Sequence, residues 1–519
     1  MMMPLNELER ASTAPPIASG GGHVGRPWSL DELPVCMPEA LHDHALREAR
    51  AGARFGGLWA WPAEPGGFEL VALMAFDAAG RLSACRASVA DGGSFASLTP
   101  SLPAAQAFER EIFESFGLRP IGHPWLKPLL RHAELQAYDE ARSRRPATRP
   151  AHPFFRVDGP GVHEVAVGPV HAGIIEPGHF RFQCTGENVL HLEIHLGYQH
   201  RGAEALMIDA SLARRLAIAE SVAGDTVIGH ATAYCELVEA LAASDVPPRA
   251  QALRAIALEI ERVANHVGDL GALCGDIGYL PGASFLGRLR GEFLTLLLEL
   301  SGNRFGRGLV VPGGVRFDVS DRLREELERR LSNAQRDFHE IADLVFSEPS
   351  VQSRFEQTGP LSRDAAERLA LVGPVARASG CTRDVRVNHP SGFFRFAHIP
   401  IAHVDGGDVF ARAMIRQVEA RRSITFVREE LERLPKGRLV APMEPLASNA
   451  LAVSLVEGWR GEIAHLAITG ASGALREYRI VDPSFRNWFG LALAMRNQQI
   501  SDFPLCNKSF NLSYAGHDR

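Results

Sequence analysis

The chain has 519 residues, of which 46 % are hydrophobic and 22 % charged, the balance of globular proteins rather than of disordered or membrane-spanning chains. That length predicts several domains with large cores. A net charge of −6 argues against a general nucleic-acid binder, whose footprint is a basic excess, and no apolar run approaches the ~18 residues of a spanning helix.

Residues 1–26, with APPIASGGG inside, are too rich in Pro, Gly, Ala and Ser to be held by a core and predict a flexible tail. From 27 to 132 the pattern is that of a small α/β domain. FELVALMAFDAAGRLSACRASV predicts two strands and a turn, and AAQAFEREIFESFG a helix presenting Phe108, Ile112 and Phe116 on one face. Residues 133–160, containing SRRPATRPAHP, predict a linker. From 161 to 519 the chain reads as one larger domain. It opens with the strand-like VHEVAVGPV, HFRFQC and NVLHLEIHLGY, the last predicting an apolar face and a polar face. After Pro247 and Pro248, Leu253, Ile256, Ile260, Val263, Val267 and Leu270 recur at helical steps. Further helices are predicted over 284–302, 318–347, 361–379 and 408–433. Beyond about 440, strand-like LAVSLVEGW, IAHLAITG and EYRIVD precede a helix over 485–499.

Few residue patterns carry chemistry by themselves. Only Lys127, Lys436 and Lys508 are lysines and none follows a glycine, which excludes a phosphate-binding P-loop. Seven cysteines stand singly, so there is no disulfide framework and no self-contained zinc or iron–sulfur site. The start MMMPLNELER has neither a basic start nor an apolar signal core and reads as cytoplasmic. His191, Glu193 and His195 share one strand face, the spacing of metal ligands or, more simply, of the solvated face of a half-buried strand. Glu259, Arg262, His266 and Asp269 form a second stripe on the long helix. Buried, these charges must pair; exposed, they are an ordinary surface worth little. The glycines of GRGLVVPGGVRFD suit either a tight turn or a close backbone approach.

In order, the segments resemble a known architecture. EREIFESFGLRPIGHPWLKPLLRH is similar to the small hydrophilic subunit of respiratory complex I that flanks its quinone-pocket subunit. GYQHRGAEAL, PPRAQALRAIALEIERVANHVGDLG, VPGGVRFD, ARASGCTRDVRVNHP, GDVFARAMIRQVEARRSI, VEGWRGEI and DPSFRNW resemble the blocks of that quinone-pocket subunit. They also resemble the large subunit of energy-converting membrane-bound nickel–iron hydrogenases, of the formate hydrogenlyase and hydrogenase-4 type. The resemblance implies an α+β fold: an N-terminal α/β domain, a small antiparallel β region, a central helical bundle and a mixed C-terminal part.

It also implies a function and exposes departures from it. Two CxxC pairs hold the metal centre of the hydrogenases through four thiolates, and here Ala223, Thr226, Ser513 and Gly516 stand in those places. Neither alanine nor glycine offers a ligand, and neutral hydroxyls are poor substitutes for soft thiolates, so no metal is expected. The tyrosine of the quinone-pocket subunit reads Gly224, and its early-loop histidine is either His171 or His179. A C-terminal peptide removed after nickel insertion is not expected beyond Asp518-Arg519. Asp225, His230 and His171 are the candidate catalytic proton carriers, while a packing histidine and a helix-start aspartate are the plainer roles for His230 and Asp225. Arg201, Glu204, Arg262, His266, Asp269 and Arg519 are the candidate lining of a cavity between Gly197–Glu204, Val222–His230 and Ser513–Arg519.

The resemblance further implies a subunit peripheral on the inner face of the cell membrane. It would accept electrons from an iron–sulfur small subunit, pack against antiporter-like membrane subunits that move ions, and bind no cofactor of its own beyond a quinone in the cavity. A non-catalytic coupling subunit and an active hydrogenase with altered ligands are the alternatives.

Overall fold

Alternating apolar residues make strands and apolar residues at 3.6-residue spacing make helices, and the computed structural model places both as the sequence directs. It describes residues 20–33, 35–63, 66–130, 152–171 and 175–519, so residues 133–151 of the linker predicted over 133–160 and most of the predicted tail lie outside the described residues. The chain divides into two units, one reaching to Leu126 and the other from Lys127 to Arg519, the latter joined by His23–Pro27.

The first unit is built on a mixed sheet. β1 (Gly20–Gly22), β2 (Val35–Cys36), β3 (Arg54–Pro62), β4 (Phe68–Phe76) and β5 (Arg81–Val89) have the order β1-β5-β4-β3, with β2 also against β5. Gly20–Gly22 falls within the predicted tail, yet its backbone pairs with Leu82–Ala84. α1 (Pro38–Arg50) and α2 (Gln106–Phe116) pack on this sheet. Phe108 of α2 meets Phe55 and Trp59 edge-on, with centroids 5.5 and 5.9 Å away. Glu109, in the motif stretch, is buried and accepts from Ser97 Oγ at 2.6 Å and Thr99 Oγ1 at 2.7 Å, tying the preceding loop to α2.

The second unit opens with β6 (Val162–Val167), β7 (His179–Thr185) and β8 (Asn188–His195), antiparallel in the order β8-β7-β6. The predicted polar face of β8 is not solvated: Glu193 and His195 are buried beside Leu192. The Lys127 ammonium lies 2.9 Å from Glu193, His152 Nε2 2.8 Å away, and the Phe155 N–H donates at 2.7 Å. Burial raises the pKa of this carboxyl, but these donors outweigh it and hold the group down to about 2. Glu193 is a structural anchor, its oxygens engaged by donors of this chain.

The helical part follows: α3 (Val227–Leu241), α4 (Pro248–Asp276), α5 (Leu280–Ser301), α6 (Asp321–Ser347) and α7 (Val409–Glu432). α4 begins at the second proline, whose missing N–H costs nothing at a helix start. Its apolar stripe from Leu253 to Leu270 is buried, and so is the charged stripe Glu259, Arg262, His266 and Asp269, because α5 and α7 both pack against it. The helix predicted over 361–379 is instead two short ones, Arg363–Arg368 and Gly373–Ala378, broken where Ala370 and Gly373 take positive φ. The glycine-rich 306–318 segment makes a tight hairpin, and a Cβ on Gly314 would lie 1.8 Å from the Leu439 carbonyl oxygen.

β9 (Ala450–Gly458), β10 (Gly461–Thr469) and β11 (Leu475–Val481) pair antiparallel in sequence order. α8 (Pro483–Ala494) follows, capped by the Asp482 carboxylate accepting from Ser484 N at 2.7 Å, and α9 (Tyr514–Asp518) comes last. This is an α+β fold.

Candidate functional site

Three segments far apart in sequence meet in the second unit. The Asp518 carboxylate accepts from Gly197 N and Gln199 N, both at 2.8 Å. Arg201 donates to the carbonyls of Ser221 at 2.6 Å, Val222 at 2.9 Å and Ala515 at 3.4 Å. Arg519 donates to Glu204 at 3.1 Å and to the Ile480 carbonyl at 2.8 Å. Arg201, Glu204 and Arg519 are thus brought together, and each is occupied in joining segments.

Between these segments lies the turn that starts α3. Gly224 is exposed and Asp225 half-buried, so this turn opens outward. Arg460 closes on Asp225 with two parallel bonds of 2.5 and 2.8 Å, a bidentate fork that favours the ionised carboxylate. Burial would raise the Asp225 pKa, and the guanidinium holds it below the usual range. Arg460 also donates to Thr226 Oγ1 at 3.1 Å and to the Asn511 carbonyl at 2.5 Å, linking the two halves of the site. Glu176, from the loop before β7, accepts from Tyr514 N at 3.0 Å; burial raises its pKa against the pull of that N–H and of Arg460.

Ala223 and Thr226 stand at the start of α3, Ser513 and Gly516 at the start of α9. Ser513 Oγ caps α9 by accepting from Gly516 N at 2.9 Å. Gly516 packs directly on Asp482: a Cβ there would come 2.6 Å from its carboxyl carbon and 2.8 Å from both oxygens.

His230, one helical turn beyond Thr226, is fully buried with Asp482, His465 and Tyr478. His230 Nε2 is 3.0 Å from Asp482 Oδ2, its Nδ1 is 3.1 Å from His465 Nε2, and His465 Nδ1 is 2.7 Å from the Tyr478 hydroxyl. An ionised Asp482 only accepts, so His230 Nε2 donates to it, and His465 bridges His230 Nδ1 and the Tyr478 hydroxyl. Burial, with His230 beside it, keeps His465 well below its usual pKa and therefore neutral.

The α4 stripe lies deeper. Arg262 bonds Glu259 at 3.0 Å and the Glu457 and Gly458 carbonyls at 2.6 and 2.9 Å. His266 Nε2 is 2.9 Å from Glu419, and Arg416 is 2.8 Å from Asp269. Arg377 joins Glu419 and Glu457, each at 2.8 Å, and Arg386 joins Glu259 and Asp384. Arg262 and His266 are therefore members of a buried ionic network in the bundle and Asp269 forms a separate buried pair with Arg416, whereas Asp225 and Glu176 border the outward-facing turn. His171 Nε2 is bonded to the Gly178 carbonyl at 2.9 Å, and His179 lies on β7 with Nδ1 3.1 Å from the Gly168 carbonyl.

Single-residue reasoning missed Arg460, Asp482, His465, Tyr478, Glu176 and Glu261. Arg460 and Asp482 sit in VEGWRGEI and DPSFRNW, so those motifs carried the signal. Glu261 sits likewise in PPRAQALRAIALEIERVANHVGDLG: its carboxyl accepts from Ile228 N at 2.7 Å and Gly229 N at 3.1 Å at the start of α3, and burial lifts its pKa to about 8 against those bonds.

Comparison with known proteins agrees with this architecture. The family described as respiratory-chain NADH dehydrogenase, 49 Kd subunit, matches residues 276–451, and that of the 30 Kd subunit matches residues 39–146. Formate hydrogenlyase subunit 5 of Escherichia coli is 31 % identical over 445 residues, covering 82 % of this chain and 77 % of that protein. The chain belongs to this family of complex I-related hydrogenase large subunits. Hydrogenase-4 component G of Escherichia coli is 30 % identical over 443 residues, covering 83 % of this chain and 77 % of its own. The membrane-bound sulfane sulfur reductase, described as an archaeal respiratory membrane complex, contains a chain of the same fold. That chain has a TM-score of 0.65 and 21 % identity, with 70 % of this chain and all of that one covered. Members of the large-subunit family are oxidoreductase subunits, and this chain fuses the complex I 30 Kd and 49 Kd parts. No helix among the described residues is long and apolar enough to cross a membrane.

Proposed function

We propose that the chain is the large subunit of a membrane-attached complex of the complex I and hydrogenase-4 type that works without a nickel–iron centre. In this reading it accepts electrons from an iron–sulfur small subunit at the turn around Asp225 and couples the redox step to ions moved by antiporter-like membrane subunits. It sits peripherally on the inner face of the cell membrane, attached through those partners. A quinone headgroup at the turn is the acceptor, with Arg201 and Glu204 beside it, Asp225 as the nearest proton carrier, His230 one layer behind, and His171 on the adjoining loop.

The observation that carries this reading is the chemistry of the four ligand places. Ala223 and Gly516 have no donor atom and Thr226 and Ser513 offer neutral hydroxyls, a set that does not fit soft-ligand metals. The Asp225–Arg460 fork links the two halves of the site, and the Asp482 carboxylate occupies the space a side chain at 516 would need.

Two measurements on the complex extracted from its own membranes in mild detergent test it. Mass spectrometry of the co-purifying proteins is expected to find an iron–sulfur small subunit and antiporter-like membrane proteins, and metal analysis less than one nickel per ten chains. Stoichiometric nickel would restore the active-hydrogenase reading, and a chain that purifies alone would end the electron-transfer claim.

A coupling subunit without chemistry of its own is the second reading. It is favoured by the mutual satisfaction of Asp225 with Arg460 and of His230 with Asp482. Asp225→Asn and His230→Gln separate the two: electron transfer to an added quinone falls at least tenfold if the site reacts and is unchanged if it only couples.

A further inference from the structure

Outside the site, the first unit brings together two cysteines that lie 49 positions apart. Cys36 is the second residue of β2, and Cys85 lies in β5, whose Arg86 and Ala87 pair with Val35 and Cys36 in parallel register. Their sulfurs are 3.5 Å apart. The Cys36 thiol donates to the Arg86 carbonyl at 3.1 Å, and Cys85 Sγ is 3.8 Å from the same oxygen. Cys85 is fully buried. Cys36 is half-buried, and its neighbours Val35 and Met37 are 55 % and 70 % exposed, so reagents in solution reach this sulfur first. The remaining five cysteines are buried.

We propose that Cys36 and Cys85 form a thiol-oxidation site that takes small disulfides of the glutathione class and closes to an intramolecular disulfide. A disulfide bond of about 2.05 Å requires the sulfurs to approach by roughly 1.5 Å. β2 has only two residues, paired to a nine-residue β5, so it is the strand with fewer ladder contacts to adjust in that approach. The hydrogen bond from Cys85 favours the Cys36 thiolate and lowers its pKa against burial, which suits Cys36 to attack first.

The exchange balances as follows. The Cys36 thiolate attacks one sulfur of glutathione disulfide, forming a mixed disulfide and expelling one glutathione thiolate, which takes up the proton Cys36 has lost. Cys85 gives up its proton and attacks Cys36 Sγ, forming the Cys36–Cys85 bond and expelling the second glutathione thiolate, which takes up that proton. Two protein thiols are oxidised and one small disulfide is reduced. The product fixes the segment leading into α1 onto β5, where Arg86 already holds it through the Leu30 and Leu33 carbonyls.

The test incubates the folded full-length chain with graded ratios of reduced to oxidised glutathione, alkylates the free thiols and maps the peptides by mass. Wild type is expected to lose two thiols and yield one cross-linked peptide pair joining Cys36 to Cys85. Cys85→Ser stops at a mixed disulfide on Cys36, and Cys36→Ser leaves Cys85 unmodified. Cys85→Ala repeats the measurement should the serine impair folding, with a thermal melt confirming the native state of each variant. A wild-type chain that accumulates only the Cys36 mixed disulfide, that stays fully reduced in excess oxidised glutathione, or that cross-links only after unfolding overturns the proposal.

Discussion

His230 Nε2 and Asp482 Oδ2, 252 positions apart in sequence, lie 3.0 Å from each other with both side chains fully buried. The same carboxylate caps α8, so one residue anchors a helix start and terminates the Tyr478–His465–His230 chain. Asp482→Ala removes the cap and strands a buried imidazole N–H, losses of about 1 kcal/mol and about 1–3 kcal/mol respectively. A drop of about 3 kcal/mol in denaturant-unfolding stability is expected. A change within 0.5 kcal/mol would show that Asp482 neither caps α8 nor holds His230.

Gly516→Ala places a methyl group against the Asp482 carboxyl. Overpacking of this kind costs about 1–3 kcal/mol. The loss should shrink when Asp482 is also truncated, because the double variant no longer contains the clash. Equal penalties in the two backgrounds, measured by thermal melts, would place the strain elsewhere. Gly516→Cys is expected to carry the same penalty and to bind no nickel.

Acid stability depends on Glu193. Its pKa in the folded chain, about 2, is below the ordinary carboxylate value, so its contribution is present above that ordinary value and is lost as pH falls through about 2. Glu193→Gln should therefore melt well below wild type at pH 7, and the two melting curves should converge between about pH 4.5 and 2.

Glu261 has the opposite sign. A folded pKa of about 8 is above the ordinary value, so the stability it lends is complete below about pH 4.5 and is lost as pH rises through 8, when the carboxylate must ionise in a buried place. The limiting slope is about 1.4 kcal/mol per pH unit. Glu261→Gln keeps an oxygen to accept from Ile228 and Gly229, and should flatten the decline in unfolding free energy between pH 5 and 8. An identical slope in the variant would assign the decline to another group.

Local pattern made the elements legible. The Leu253–Leu270 stripe, the proline start of α4 and the alternation in β8 each depend on neighbours within a few positions, and each lies where periodicity put it. Burial of both faces of α4 was not legible, since an amphipathic stripe records polarity and not what packs against it. The polar face of β8 misled for the same reason, because Lys127 and His152 arrive from far along the chain to cover Glu193. The helix expected over 361–379 failed on backbone geometry: Ala370 and Gly373 take positive φ, and the Arg460 carbonyl lies where a Cβ at 373 would stand. Within the site, ordered motifs located the segments. Which side chains pair across hundreds of positions, Asp225 with Arg460 or His230 with Asp482, is decided by the fold alone.

The network around α4 also bears on how this sequence can drift. Glu259, Asp384, Glu419 and Glu457 face Arg262, Arg377 and Arg386, and Glu457, pushed up by burial to about 7, gains or sheds the odd proton near neutrality. Removing Arg262, Arg377 or Arg386 strands carboxylates in the interior, a loss of about 3–5 kcal/mol, while exchanging the whole set for apolar residues need cost nothing. The single arginine steps are closed and the concerted one is open, so lineages descending from this chain should keep Arg262, Arg377 and Arg386 with their carboxylate partners or replace them together.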